Sequence, residues 1–282
     1  DLSSQSASHS RKAIVSFDFK SAFDYAPHSA IIQGLVAHHA PVFLVAIISS
    51  YLSQRKVTTM LSDMKIDHKP EGRGCPQGGI LSPTLWSLVI NTLLSELDAK
   101  GYEPTAYADD LTVVCQGKDD DELRRKVDEV ALIVRRWSTC TGIPVNFDKS
   151  NALPLGKRSI PDLQGIDLKI FSSAKILGVT FVSSLKFDLH VKQKLSSTAR
   201  YLEIVRRHFS KDFGLTCDTK CILFNCYVKP MLLYASEVWG NRITVKSKKA
   251  IATFENAVLR NAVHAFRSTS TDSLHVLTSV PF

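Results

Sequence analysis

Glycine and proline are sparse, 13 and 11 in 282 residues, and no internal repeat or low-complexity linker interrupts the chain, which argues against a disordered or repeat protein. No apolar run extends beyond residues 42–48, far short of the roughly 20 residues that a membrane-crossing helix needs. Residues 1–10 are polar and serine-rich and lack the apolar core of a cleavable secretory signal. The six cysteines include no C-x-x-C pair and no histidine stands at zinc spacing, so no zinc module is legible. Cys217 and Cys221 are one helical turn apart and read as two thiols on one helix face. Scattered thiols suit a reducing compartment, so an intracellular protein of nucleus or cytoplasm is expected, not a secreted one. What the chain does have is 44% apolar content, enough for one large domain or two modest ones. It also carries a formal charge of +8 with a pI near 9.2, which attracts polyanions through counterion release without reading bases.

Residues 13–17 form a short apolar run that reads as a buried strand and ends abruptly at Asp18. Helices are expected around Ile31 to Val36 and across residues 42–52, followed by a β-prone stretch at 56–61. The segment Glu71-Gly72-Arg73-Gly74-Cys75-Pro76-Gln77-Gly78-Gly79 is a glycine-rich loop able to bring backbone close to a ligand. A helix should start at its end, with Ser82 as cap and Pro83 in the first helical position. Two β-prone arms, 102–107 and 111–115, then flank Ala108-Asp109-Asp110 and predict a hairpin with two acids at its tip. Leu123, Val127, Val130, Ala131, Val134 and Trp137 recur at helical spacing until Gly142 stops them.

Three acids at strand ends, Asp18 alone and Asp109-Asp110 together, are the central chemical observation. Clustered carboxylates repel when ionised, so the arrangement is costly without cations. Oxygen ligands of this kind suit Mg²⁺, and phosphoryl transfer by two divalent ions requires such a cluster. An isolated Asp-Asp in a turn is more often a turn residue only.

The context changes that reading. Phe17-Asp18-Phe19-Lys20-Ser21-Ala22-Phe23-Asp24, then Gly74-Cys75-Pro76-Gln77-Gly78-Gly79, then Tyr107-Ala108-Asp109-Asp110, stand in the order of successive palm motifs and resemble the reverse transcriptase family. Gly142-Ile143-Pro144-Val145-Asn146 with Lys149 is similar to its next palm motif. Lys175-Ile176-Leu177-Gly178-Val179 resembles the primer-grip hairpin of non-LTR elements. Leu81-Ser82-Pro83-Thr84-Leu85-Trp86 is closest in wording to the LINE class, jockey or I-like group, and Tyr234-Ala235-Ser236-Glu237-Val238-Trp239-Gly240 is similar to the helical region after their palm.

The resemblance implies an RNA-directed DNA polymerase adding dNTPs to a DNA primer on an RNA template, with two Mg²⁺ ions and Mn²⁺ as a substitute. It implies that Asp18, Asp109 and Asp110 are catalytic and ligate metal. Phe19 (through its backbone), Phe23, Gln77, Gly78 and Lys149 would bind the nucleotide, with Phe23 as a gate against the ribose 2′-OH. Phe23 is equally an ordinary core residue on apolar character alone. Leu177, Gly178, Arg200, Arg206 and Arg207 would contact primer and template, although a solvated helix face explains the arginines as well.

The expected fold is α+β: a polymerase palm, an antiparallel sheet packed on helices, with partial fingers in residues 1–188, then an α-helical thumb-like domain in 189–282. Few residues precede the first palm strand, so an N-terminally truncated fragment is expected, weakly active or inactive alone. Two other readings share these features. An RNA-dependent RNA polymerase also has the palm and double acid, but tends to place an Asp where Phe23 stands. An inactive element-derived fragment would bind nucleic acid without turnover.

Overall fold

In the computed structural model, which describes residues 11–61, 64–68, 72–156, 168–209 and 215–280, the apolar run ahead of Asp18 forms strand β1 (Arg11–Asp18). Helices α1 (Ala22–Tyr25), α2 (His28–Ala37) and α3 (Val42–Ser53) follow, then a separate hairpin of β2 (Val57–Leu61) and β3 (Met64–His68). Next come helix α4 (Ser82–Ala99), strands β4 (Glu103–Tyr107) and β5 (Asp110–Gly117), and helix α5 (Asp120–Thr141). Strands β6 (Asn151–Leu155) and β7 (Lys169–Ile170) complete the main sheet of the first of two compact units, which ends at Ala174.

That sheet has the order β4-β5-β1-β6-β7, antiparallel except for the β6–β7 pair. β1 is central, and its alternation decides which face is core. Ala13, Val15 and Phe17 are buried, and their ladder partners Cys115, Val113 and Leu111 are buried with them. Directly opposite residues share a face, so this is the side against which helices pack. Leu85, Trp86, Val89 and Leu93 of α4, and Leu123, Val127, Val130 and Val134 of α5, join the same core cluster. Each fully buried Val or Leu adds about 1.5–3 kcal/mol to that packing.

The ends of α5 explain its length. Asp119 caps it by accepting from the Glu122 amide at 2.7 Å, while Glu122 reaches back to the Lys118 amide at 2.8 Å. Asp120, Asp121 and Glu122 complement the dipole in the first turn. Gly142, at φ 69°, closes the helix and leaves room for Arg73, whose Nη1 donates to the Gly142 carbonyl at 2.9 Å. A Cβ at that position would lie 2.6 Å from the guanidinium.

The start of α4 differs from expectation. Ser82 is the first helical residue and makes no cap; its hydroxyl instead donates to the Pro76 carbonyl at 2.5 Å, tying down the Pro-Gln-Gly loop.

The second unit begins at Lys175, ahead of the expected boundary at 188. Strand β8 (Ser173–Ile176) carries the junction, and β9 (Val179–Val182) belongs with the helices because Val179 packs with Phe187, Val191 and Trp239. Helix α6 (Asp188–Phe209) follows. Helix α7 (Cys217–Leu223) continues through a π-helical turn (Phe224–Val228) into α8 (Lys229–Leu233), then α9 (Ser236–Trp239). The unit closes with α10 (Val245–Ala262) and α11 (Thr271–Thr278), and Phe224, Val228, Leu232, Leu259 and Leu274 form its main core. No described helix is long and apolar enough to cross a membrane.

Candidate active site

Asp18 and Asp110 are ladder partners at the end of the β1–β5 pairing. They lie one ladder step beyond the buried pair Phe17 and Leu111, so they share the opposite face of the sheet. The hairpin tip is tighter than the sequence implied: Ala108 and Asp109 form the turn, while Asp110 already opens β5 opposite Tyr107. Burial, then Asp109, then Asp18, push the Asp110 carboxyl above its ordinary range, so the three acids share one electrostatic environment.

Backbone bonds hold this cluster from two sides. The Phe19 amide donates to the Asp109 carbonyl at 3.3 Å, fastening the turn to the chain just after Asp18. The Asn146 amide donates to the Asp18 carbonyl at 2.8 Å, and the Lys20 amide to the Pro144 carbonyl at 2.9 Å, so the Gly-Ile-Pro-Val-Asn segment clips on beside it. Ser150 completes the clip, accepting from the Asp18 amide at 3.3 Å and donating to the Asn146 carbonyl at 2.8 Å. Lys149 Nζ stands 3.9 Å from Asp18 Oδ2, with most of its side chain in solvent.

A cavity of about 510 Å³ opens beside the acids and is lined by Asp109, Phe23, Gln77, Gly78 and Ser82, among others. Four expected site residues thus meet in one space. Phe23 packs on Trp86 with ring centroids 6.2 Å apart, and Gln77 Nε2 donates to Asp24 Oδ2 at 3.1 Å. The Phe19 ring lies elsewhere: it is buried edge-on between Trp86 and Trp137, leaving only its backbone near the acids.

Residues 2–181 match the family model described as reverse transcriptase (RNA-dependent DNA polymerase). The chain belongs to the reverse transcriptase family. It is 26% identical over 269 residues to a putative 115 kDa protein in the type-1 retrotransposable element R1DM of Drosophila melanogaster, covering 94% of this chain and 26% of that protein. A retrovirus-related Pol polyprotein from a type-1 R1 element of Nasonia vitripennis is 25% identical, over 73% of this chain and 53% of its own length. The RNA-directed DNA polymerase from mobile element jockey of Drosophila melanogaster is 23% identical, over 85% of this chain and 28% of that protein. The relatives are proteins of non-LTR retrotransposons, and this reverse transcriptase chain spans about half or less of the three named here. Telomerase from Candida tropicalis, solved with a fragment of telomeric RNA, has the same α+β polymerase fold, with a TM-score of 0.50 and 11% identity over all of this chain and 51% of that one.

Reverse transcriptases work with divalent metals, and the donor chemistry here fits them: three hard carboxylates gathered at one sheet end, one with a pKa raised by burial and then by its acidic neighbours. Among the described residues no three His, Cys, Asp or Glu side chains stand in a ligating arrangement.

Two further residues of the candidate site have roles that no sequence motif marks. Trp86 Nε1 donates to the Ala108 carbonyl at 2.7 Å, so a buried indole anchors the acid-bearing turn. Ser150 is fully buried and fixes the backbone of Asp18. A buried tryptophan needs a partner for its N–H, which is the one hint the sequence offered. In the second unit, Leu177 and Gly178 form the turn between β8 and β9. Arg200 is exposed on α6, whereas the Arg206 and Arg207 side chains lie outside the described residues.

Proposed function

We propose that this chain is the catalytic portion of an RNA-directed DNA polymerase that extends a DNA primer on an RNA template. The single observation that carries the proposal is the ladder pairing of Asp18 with Asp110, with Asp109 turning from the same hairpin into the cavity that Phe23, Gln77 and Gly78 line. In this reading Asp18, Asp109 and Asp110 hold two divalent ions, Mg²⁺ by ligand type. When bound, such ions lower the pKa of the primer hydroxyl and offset the charge of the triphosphate.

The chain's own residues supply position. Phe23 cannot swing freely because Trp86 backs its ring, so it forms a fixed wall where a ribose would lie and excludes a 2′-hydroxyl. Gln77 and Gly78 border the same space and contact the incoming nucleotide. Lys149 is close enough to Asp18 to be drawn to the site and free enough to follow a departing pyrophosphate. Residues 1–188 act as palm with residual fingers and 189–282 as a thumb-like domain that tracks the duplex through Arg200, Arg206 and Arg207.

Primer extension on an RNA template with Mg²⁺ tests this. Extension with dNTPs over rNTPs is expected, and Asp109→Ala should lower kcat by about a thousandfold or more, roughly 4 kcal/mol of transition-state stabilisation. A preference for rNTPs would mark an RNA polymerase. Equal rates in wild type and Asp109→Ala would remove these acids from the chemistry, and duplex binding with no extension would mark an inactive binding fragment.

A further inference from the structure

Phe23 and Gln77, which line the cavity beside the acids, belong to two segments joined by a short ladder of their own. The Cys75 amide donates to the Phe23 carbonyl at 2.7 Å, the Gly74 amide to the Ala26 carbonyl at 2.8 Å and the His28 amide to the Gly72 carbonyl at 2.9 Å, with Pro27 bridged to Arg73. Phe23 and the glycine-rich loop are therefore held as one piece. The loop has little stiffness of its own, because Gly72, Gly74 and Gly78 all have positive φ and glycine backbone turns freely. Its shape has to be imposed from outside.

Two side chains impose it at a single atom. The Gly74 carbonyl accepts from His28 Nε2 and from Arg55 Nη1, each at 3.1 Å. A carbonyl only accepts, so His28 carries a proton on Nε2. Gly74 is buried, and the two donors fill both lone pairs of its oxygen. They come from separate elements: His28 opens α2, and Arg55 stands just past the end of α3. The guanidinium bond is charge-assisted and so the stronger kind, and the Arg55 charge opposes the burial that pushes the Cys75 thiol up to about 11. Gly74 has no slack on its other side either, since a Cβ there would lie 3.2 Å from the Asp24 carbonyl oxygen. Ser82 holds Pro76 two residues on, so the exposed Gln77 and Gly78 start from a fixed base. Neither Arg55 nor His28 lines the cavity itself.

We propose that Arg55 and His28 are positioning residues for the incoming nucleotide, gripping the Gly74 carbonyl together and thereby fixing Phe23 and Gln77 against it. The inference rests on the polymerase reading and adds to it the pair that sets the nucleotide wall. Each donor backs up the other: losing one leaves the carbonyl paired, and losing both leaves a buried acceptor bare.

The test measures the affinity of the full chain for dATP and ATP, with Mg²⁺, on an RNA template carrying a dideoxy-terminated primer, together with hydrogen exchange of the backbone amides. Wild type should favour dATP. Arg55→Met and His28→Leu should each weaken dATP about threefold, and the double variant about a hundredfold, well beyond the product of the two. The preference for dATP over ATP should narrow with it. His28→Gln, which keeps a donor near the Nε2 position, should bind dATP within about twofold of wild type. Affinity for the primer–template should not change. In the double variant the Gly74 and Cys75 amides should exchange faster, while amides of the β1–β5 ladder keep their wild-type rates. Faster loop exchange with dATP affinity unchanged would reduce the pair to a structural tie and overturn the proposal, as would weaker dATP binding accompanied by faster exchange throughout β1 and β5. Should the double variant not fold, wild-type dATP affinity in both single variants overturns it. Each of these results leaves the polymerase reading standing, whereas a wild-type chain that holds the primer–template but neither nucleotide would overturn that reading and the inference with it.

Discussion

Two hairpin turns, one in each unit, solve the same problem with different donors. Ala108 in the acid-bearing turn and Leu177 in the second unit are both left-handed, at φ 51° and 44°, although neither is glycine. In each case the strained residue offers its carbonyl to an aromatic side chain from a distant helix or helix end. The buried Trp86 indole serves the first at 2.7 Å, and the half-exposed Tyr234 phenol serves the second at 3.1 Å. The difference lies in what else each anchor does. Trp86 also contributes to the sheet core and backs Phe23, so stability and site geometry cannot be separated there. Tyr234 contributes little burial, so in the second unit geometry can be altered while the fold remains. A turn held from the core is robust, and a turn held from the surface is adjustable.

The largest test of that contrast is truncation of the two anchors. Trp86→Ala should cost about 3–5 kcal/mol, through a cavity under the sheet as well as the lost hydrogen bond, whereas Tyr234→Ala should cost under about 1.5 kcal/mol. Urea unfolding followed by circular dichroism reads both, and similar costs would break the comparison. At the next scale, Ala108→Gly and Leu177→Gly should each relieve left-handed strain, raising stability by up to about 1 kcal/mol net of unfolded-chain entropy. If the strain serves function, both variants should extend primers more slowly despite melting higher. A gain in rate with the gain in stability would show the turns to be incidental.

The smallest expected effect is a pH slope in the second unit. Burial, then Lys194 and Lys175, hold His190 below its ordinary value of 6.5, and its Nδ1 must stay unprotonated to accept from Thr180. The unfolded chain therefore binds a proton at a pH where the folded one does not. Stability is complete above about 6.5 and declines as pH falls from there towards the lower folded value. His190→Asn, which keeps an acceptor and cannot titrate, should flatten the melting profile between about pH 5 and 7; an unchanged slope would remove His190 as its source.

Much of the first unit was legible because its sequence patterns are local. The apolar run before Asp18, the two β arms around Ala108-Asp109-Asp110, and the helical stripe from Leu123 to Trp137 each announced their element and face. What pairs with what was not local. β6 escaped notice because Pro154 interrupts it; the proline is tolerated since β7 pairs only with Asn151 and Ala152 and leaves that edge without a ladder. β3 carries a strand's alternation, Met64 and Ile66 against Lys65 and Asp67, but over too few residues to stand out in the sequence. The anchoring roles of Trp86, Ser150 and Tyr234 depend on backbone carbonyls and amides remote in sequence, and no periodicity encodes such a partner. The strain at Leu177 was invisible for the same reason, since leucine carries no signature of a left-handed turn.

The guanidinium of Arg73 has a mechanical meaning beyond capping. It leaves the glycine-rich loop just ahead of Gly74 and is seated on Gly142, from which the chain runs directly into the Pro144 and Asn146 backbone groups bonded around Asp18. One guanidinium and a handful of peptide units therefore link that loop to the strand end that bears Asp18. The glycine at 142 is what allows the guanidinium to seat, and any side chain there would disconnect the two.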